Sequence, residues 1–312
     1  MDENKIKRGY NIYLYYWTIF AFVLFWTINY YSNYYVKDFK SEFENIGLMI
    51  SVLSFLFGFM VNINFSMIMN RMNSLRSDLA AETGRLVNLY NLSKNLGKDF
   101  SERIRELIDE YTINTLRDYS NYGVGRSVYY RMSQDLKLME IKDDLQKMSA
   151  SSFVSNLGDW EQIRERLEYL TSEKALWSFK FTTYVLGSIL IILLFLNRGD
   201  IFTNALFIIL STIIVFLFLI IEDYDNLRIG DYQINISNSE QLFDLIEKER
   251  YYPEKLVRRV RLERGRVYRI GVYNEKEKQE RIFKLTYTPY FGLKLDKAVY
   301  RFWRHGENGK NN

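Results

Sequence analysis

Residues 11–31, 47–69, 177–196 and 201–221 are four runs of predominantly apolar side chains with almost no charge inside them. A helix needs roughly 20 such residues to cross the apolar core of a bilayer, about 30 Å thick. Water is absent there, so a segment of this kind must satisfy its backbone hydrogen bonds internally, as a helix does. Tyr15, Tyr16, Trp17, Trp26, Tyr30 and Tyr31 lie toward the ends of the first run, where aromatic side chains form interfacial belts. Lys180 lies one turn inside the third run, within snorkelling reach of the interface. The first run is too long and too aromatic for a cleavable leader and is followed by no small-residue cleavage site. The mean hydropathy of -0.21 averages these runs with heavily charged stretches, so the two populations are read separately.

Short connections set the pairing. Residues 32–46 join the first two runs and residues 197–200 the last two, so each pair is expected as an antiparallel hairpin. Four spans put both termini on one side. Lys5, Lys7 and Arg8 precede the first run and Arg71, Arg76 and Arg85 follow the second. In the first connection, by contrast, Lys37 and Lys40 are offset by Asp38, Glu42 and Glu44. The positive-inside rule then places both termini and the long middle segment in the cytoplasm. The expected fold is an all-α membrane protein with four transmembrane helices in two antiparallel pairs, a large helical cytoplasmic region and a small C-terminal β-hairpin extension.

Between the pairs, residues 70–175 contain no proline and repeat apolar residues at helical spacing. Leu75, Leu79, Leu86 and Leu89 form one stripe, and Ile104, Leu107, Ile108, Tyr111 and Leu116 another. Nothing breaks the helix between the second span and the first stripe until Gly84, so one long helix is expected to run from membrane to cytoplasm. Asp99 and Glu102, after Gly97, signal the start of the next helix. Later helices are expected over about Tyr130 to Met148, Asp159 to Ser172 and Ser239 to Glu249. Beyond Pro253, Tyr268, Ile270 and Val272, then Phe283, Leu285 and Tyr287, alternate with other residues at period two, which predicts a hairpin turning over Asn274 to Glu280. From Glu247 onward basic residues outnumber acidic ones by roughly two to one, and residues 246–312 read as a basic cytoplasmic extension to a domain of residues 1–245. That basic end suits either a vestibule that concentrates anions or attraction to anionic lipid headgroups.

Several chemistries are excluded or find no support. The chain has no cysteine, which removes disulfides, thiol nucleophiles and cysteine-ligated metals. Its one histidine, His305, lies in a Gly/Asn-rich tail, so no histidine cluster or Ser-His-Asp triad is expected. A formal charge of +4 does not suggest a nucleic-acid binder. Gly123 and Gly125 lie in no phosphate-loop pattern and read as a turn. No constellation of nucleophile, base and metal ligands is visible, so the chain is not read as an enzyme.

The second span carries the clearest candidate site. Four residues advance a helix by about 40°, so Ser51, Phe55, Phe59 and, a turn on, Asn62 share one stripe. Phenylalanine rings in a pore gate by dewetting and offer anions their positive edges; equally, such rings face lipid or neighbouring helices. Asn62 and Asn64 bring amides to membrane depth, where they require a partner or water. Glu222, Asp223 and Asp225 present hard oxygen ligands suited to Ca²⁺ or Mg²⁺, or a solvated helix end. No other cofactor is implied. Glu82, beside small residues, reads either as buried and hydrogen-bonded or as exposed on the far face of its helix.

The stretch from Ser51 to Val61, followed by Asn70 to Leu75, resembles the second transmembrane helix of bestrophins and its cytoplasmic continuation. It is more similar still to bestrophin-like families of prokaryotes and plants, in which Leu79 to Leu86 and the acidic Glu222 to Asp225 also find counterparts. The resemblance implies a homopentamer whose second helices line a central anion-selective pore, with Ser51, Phe55 and Phe59 at neck positions and Gly58 at the family glycine. Ser51 is polar where that neck is aliphatic, the neck proline is absent, and the acidic clasp is reduced to Glu222, Asp223 and Asp225. The expected function is an oligomeric anion channel in the plasma membrane, with the bilayer, small anions and further copies of the chain as partners. The alternative is a non-conducting scaffold or sensor whose cytoplasmic region binds a partner or lipid.

Overall fold

A computed structural model describes residues 11–35, 45–117, 124–172, 176–225, 231–257, 260, 262–274 and 279–286. The expectations for Lys5, Lys7 and Arg8, for the charges of residues 36–44, for Tyr122 and Gly123, and for the tail with Tyr287 and His305 lie outside those residues. The chain divides into two compact units, one formed mainly by residues 7–76 and 169–232, the other by residues 77–168 and 233–312. Their elements in chain order are α1 (Asn11–Tyr35), α2 (Ile46–Leu96), α3 (Lys98–Arg117), α4 (Val124–Lys137), α5 (Asp144–Ser172), α6 (Trp177–Leu196), α7 (Ile201–Asp225), α8 (Asp231–Leu245), β1 (Tyr251–Pro253), α9 (Glu254–Val257), β2 (Val267–Asn274) and β3 (Gln279–Thr286).

The first unit holds α1, the first half of α2, α6 and α7. Three helices, α2, α6 and α7, are long and apolar enough to cross a membrane. α1 is helical over the first expected span but less apolar than α6 and α7, because tyrosines and asparagines flank its aliphatic and phenylalanine centre. Only 11% of the apolar window of α2 is buried within the chain. Apolar surface on that scale requires lipid or further protein around it, and the protein is a membrane protein.

Ala21 and Phe25 of α1, Phe57 of α2, Leu190 and Leu194 of α6, and Phe207, Ile208 and Ile214 of α7 form the core of this unit. Phe25 and Phe195 meet Phe207 edge-on, with ring centroids 5.7 and 5.6 Å apart. The α6–α7 turn is closed by Asp200, whose Oδ1 accepts the Thr203 amide at 2.7 Å. From the same turn, Arg198 donates to the Phe195 carbonyl and to Asn29 and Ser32 of α1, and lies over the Phe195 ring. α6 and α7 pack tightly at Gly187, where a Cβ would overlap the Phe218 ring and approach Ile214 Cγ2 to 3.0 Å.

In the second unit both predicted stripes are buried where they fall within it: Leu79, Leu86 and Leu89 of α2, and Ile104, Leu107, Ile108, Tyr111 and Leu116 of α3. Phe153, Leu157, Trp160 and Leu167 of α5 complete the core, with Phe100 against Phe153 and Tyr111 against Trp160 in edge-on pairs. Gly97, at φ 131°, reverses the chain between α2 and α3, a conformation that favours glycine. The expected helix from Tyr130 to Met148 is instead broken at residues 138–143, because Asp143 caps a new helix by accepting the Gln146 amide at 2.7 Å. α8 likewise begins and ends earlier than Ser239 to Glu249. The predicted hairpin is present as β2 and β3, in register from Val267 opposite Thr286 to Asn274 opposite Gln279. β1 adds a third strand parallel to β2, with Tyr251 opposite Arg269; three residues ending in proline give no alternation to read.

Gly187→Val is expected to cost about 1–3 kcal/mol through forced separation of α6 and α7. A lower thermal unfolding midpoint in detergent would show it, and an unchanged midpoint would refute the close-packing reading.

Candidate functional site

Successive residues of a helix advance about 100°, so Ser51, Phe55, Gly58, Phe59 and Asn62 occupy a sector about 100° wide on α2. All five are exposed in the single chain, Phe55 to 74% and Phe59 to 54%. The opposite face, with Phe57, Asn64, Ile68 and Met72, is buried. Asn64 donates to the Thr183 hydroxyl of α6 at 2.7 Å and to the Met60 carbonyl at 3.0 Å. Asn62, two residues away, makes no hydrogen bond to any described residue. The Ser51 hydroxyl turns back to the Gly47 carbonyl at 3.0 Å, as hydroxyls in membrane helices do. The exposed sector continues through Met69 and Asn73 to Arg76. Among the charged side chains of α2, Arg71 binds Asp225, Asp78 binds Arg166, Glu82 binds Tyr111, Arg85 binds Asp159, and Lys94 lies over Tyr90. Arg76 is exposed and has no ion pair or hydrogen bond among the described residues.

The acidic end of α7 is held by cations of the chain. Lys180 Nζ lies 2.6 Å from Glu222 and 2.8 Å from the buried carboxylate of Asp225. Arg71 approaches that carboxylate at 3.6 Å and donates to the Asp225 and Leu170 carbonyls at 3.0 and 2.7 Å. The Tyr184 hydroxyl reaches Glu222 at 3.1 Å. Asp223, about 100° round the helix from Glu222, projects on another side. Among the described residues no group of three or more acidic or histidine side chains is placed to hold a metal ion.

In the second unit the structure resolves the two readings of Glu82 in favour of burial. Its carboxylate is buried and accepts the Tyr111 phenol. Burial pushes its pKa up from 4.5 to about 7, opposed by the Tyr111 hydrogen bond, the Trp160 indole and the positive charge of Arg164, and assisted by Asp78. Arg164 itself is fully buried, between Glu161 at 3.5 Å and Glu168 at 3.4 Å. A Cβ on Gly125 would overlap the Arg164 chain and approach Tyr111 Cε2 to 2.9 Å, so the glycine admits this packing. A second buried pair joins the sheet to α3. Arg269 of β2 makes a two-pronged bond to Asp109, at 2.6 and 2.5 Å, and donates to the Glu249 carbonyl at 2.8 Å. Sequence reasoning missed Arg164, Asp109 and Arg269, since only the fold pairs them over such separations.

Removing Lys180 leaves the Asp225 carboxylate buried with less compensation, so Lys180→Met is expected to cost about 3–5 kcal/mol. Lys180→Met combined with Asp225→Asn should recover much of that loss. Thermal unfolding of the two variants in detergent measures it, and equal midpoints for single variant and wild type would refute the pairing.

Comparisons with curated proteins and with solved structures gave no match for either. A family model, described as the Bestrophin-like domain, matches residues 19–238. That match takes in α2, α6 and α7, the exposed sector from Ser51 to Arg76 and the Glu82 cluster, more than half of the chain, and the protein belongs to the bestrophin-like family.

Proposed function

We propose that the protein is an oligomeric ion channel that passes small anions passively, with the exposed sector of α2 from several copies lining the pore. The observation that carries this reading is Asn62. An amide at membrane depth without a partner among the described residues is costly against lipid, and is accommodated by a water-filled path or another copy. The rest of the sector fits the same use. Phe55 and Phe59 project from it as a constriction, with ring edges that tolerate an anion. Arg76 stands about 20 Å further along the helix than Asn62, where an exposed guanidinium with no ion pair among the described residues raises local anion concentration. In this reading α1 is the fourth span, α1–α2 and α6–α7 are antiparallel pairs, and the termini and residues 70–175 are cytoplasmic. The family resemblance favours a pentamer, and the plasma membrane is the expected location.

A second reading, a scaffold that binds a partner, draws support from Leu138, Ile141, Leu145 and Met148, which are exposed together at the α4–α5 corner. A monomer or dimer in mild detergent would favour it.

Liposomes holding the purified protein are expected to release chloride faster than protein-free liposomes. Phe55→Ala and Phe59→Ala should each change that rate, and Arg76→Glu should lower anion relative to cation permeability. Wild-type flux equal to protein-free background, or flux unaffected by both phenylalanine variants, counts against the channel. The cysteine-free sequence makes topology directly readable. Single cysteines at Ser32 and Gly199 should react with an impermeant thiol reagent in intact cells, and one at Lys94 only after permeabilisation; the reverse pattern would invert the orientation.

A further inference from the structure

The Glu82 cluster is built from five helices, α2, α3, α4, α5 and α8. Beside the carboxylate lies a small cavity lined by Leu79, Thr83 and Leu86 of α2, Tyr111, Thr112 and Thr115 of α3, and Asn238, Ser239 and Leu242 of α8. Its hydroxyl lining is largely committed. Thr83 donates to the Leu79 carbonyl at 3.0 Å, Thr112 to Ile108 at 2.7 Å and Thr115 to Thr112 at 3.0 Å. Those three protons are therefore directed away from the carboxylate, which is left with the Tyr111 phenol and the neighbouring Trp160 indole, both neutral donors. An ionised buried carboxylate wants several donors, whereas a neutral one is satisfied by far fewer.

α8 is the wall of this cavity that is bound from outside it. Its Glu240 accepts from Tyr252 of β1 at 2.7 Å and from Arg250 at 3.1 Å, and Asp244 binds Arg250 at 2.6 Å. β2 is held on α3 by Arg269 and Asp109, and the turn after α8 is held there by Lys248 and Glu106. α8 thus faces the carboxyl side chain across the cavity, while β2 has in the Asp109 and Arg269 pair a direct tie to α3.

We propose that Glu82 is a proton-operated latch for α8: the neutral carboxyl lets α8 close over the cavity, and the ionised one draws water in and loosens α8 from α2 and α3. The groups that face Glu82 leave it as the titrating member. On α2, Asp78 is neutralised by Arg166 at 3.0 Å. On α3, Tyr111 is the donor, Glu110 is paired with Arg131, and Asp109 with Arg269. On α5, Arg164 is charged and flanked by Glu161 and Glu168. α4 contributes Gly125, and the α8 residues on the cavity are uncharged. The direction follows from burial: the carboxyl is protonated below about pH 7 and ionised above it.

Amide hydrogen exchange on the full chain in detergent, corrected for the intrinsic pH dependence, tests this. Protection of α8 amides from Ser239 to Leu245 should fall several-fold between pH 6 and pH 8, while β2 amides, tied directly to α3 through Arg269 and Asp109, keep theirs. Glu82→Gln should retain high α8 protection at both pH values. Equal wild-type protection of α8 at both pH values, an equal loss in β2, or the wild-type loss persisting in Glu82→Gln would overturn the latch. If Glu82→Gln fails to fold, Tyr111→Phe takes its place. Loss of the phenol bond disfavours the ionised form, so the α8 transition must move to higher pH, and an unmoved transition overturns the proposal.

Discussion

The bilayer's intolerance of unpaired polar groups is the constraint on which the rest of this structure depends, and α2 shows how it is met. Its 51 residues form one unbroken helix, so no backbone donor or acceptor is released between the apolar span and the charged segment after it. What changes along the helix is the side chains. Residues 47–69 carry no charge, and beyond them arginines, aspartate and glutamate enter in the last half. One continuous rod therefore belongs to both units, and a stripe on one of its faces keeps the same orientation about the helix axis from Ser51 to Arg76.

Many polar side chains of the membrane unit meet the same constraint, although the Asn64 and Asn204 carboxamide oxygens and the Ser211 hydroxyl are buried without a hydrogen-bond partner among the described residues. Thr18, Thr27, Ser32, Ser51, Thr182 and Thr212 return their hydroxyls to carbonyls one turn earlier. Asn64 finds Thr183. Lys180, Arg71, Glu222 and Asp225 neutralise one another where α6 and α7 come together with α2. Set against this economy, Asn62 and Arg76 on the exposed sector are conspicuous for making no such arrangement.

Legibility in the sequence followed the range of the interactions. The spans were readable because a length of apolar residues is a local property: α6 runs over the residues expected, and α7 and α2 extend the runs predicted for them. The leucine stripes were readable because the helical period is local too. The break at residues 138–143 was legible in principle, through Asp143 and the Gln146 three residues on, but apolar residues at Leu138, Ile141 and Leu145 continue the helical spacing across it and mask the cap. β1 was illegible, since it is a strand only by virtue of lying beside β2.

Buried charges were the least legible feature, for a physical reason. A glutamate beside alanines on a striped helix is compatible with either face; its fate is decided by whether a partner waits there. Tyr111 lies 29 residues away and Arg164 far beyond it, and the space for Arg164 exists because Gly125 has no side chain. The same holds for Asp109, whose partner Arg269 stands 160 residues on, in a strand whose alternation marks Arg269 as outward-facing. Such pairs contribute little net stability, since apolar residues of similar volume often serve as well. Asp109 and Arg269 offset each other's desolvation through two short bonds. Glu82 differs, because its hydrogen bond comes from a neutral phenol and its pKa is raised instead. A carboxyl retained in a site that disfavours its charged form adds more to stability when protonated, and near neutral pH that condition becomes a variable of the fold.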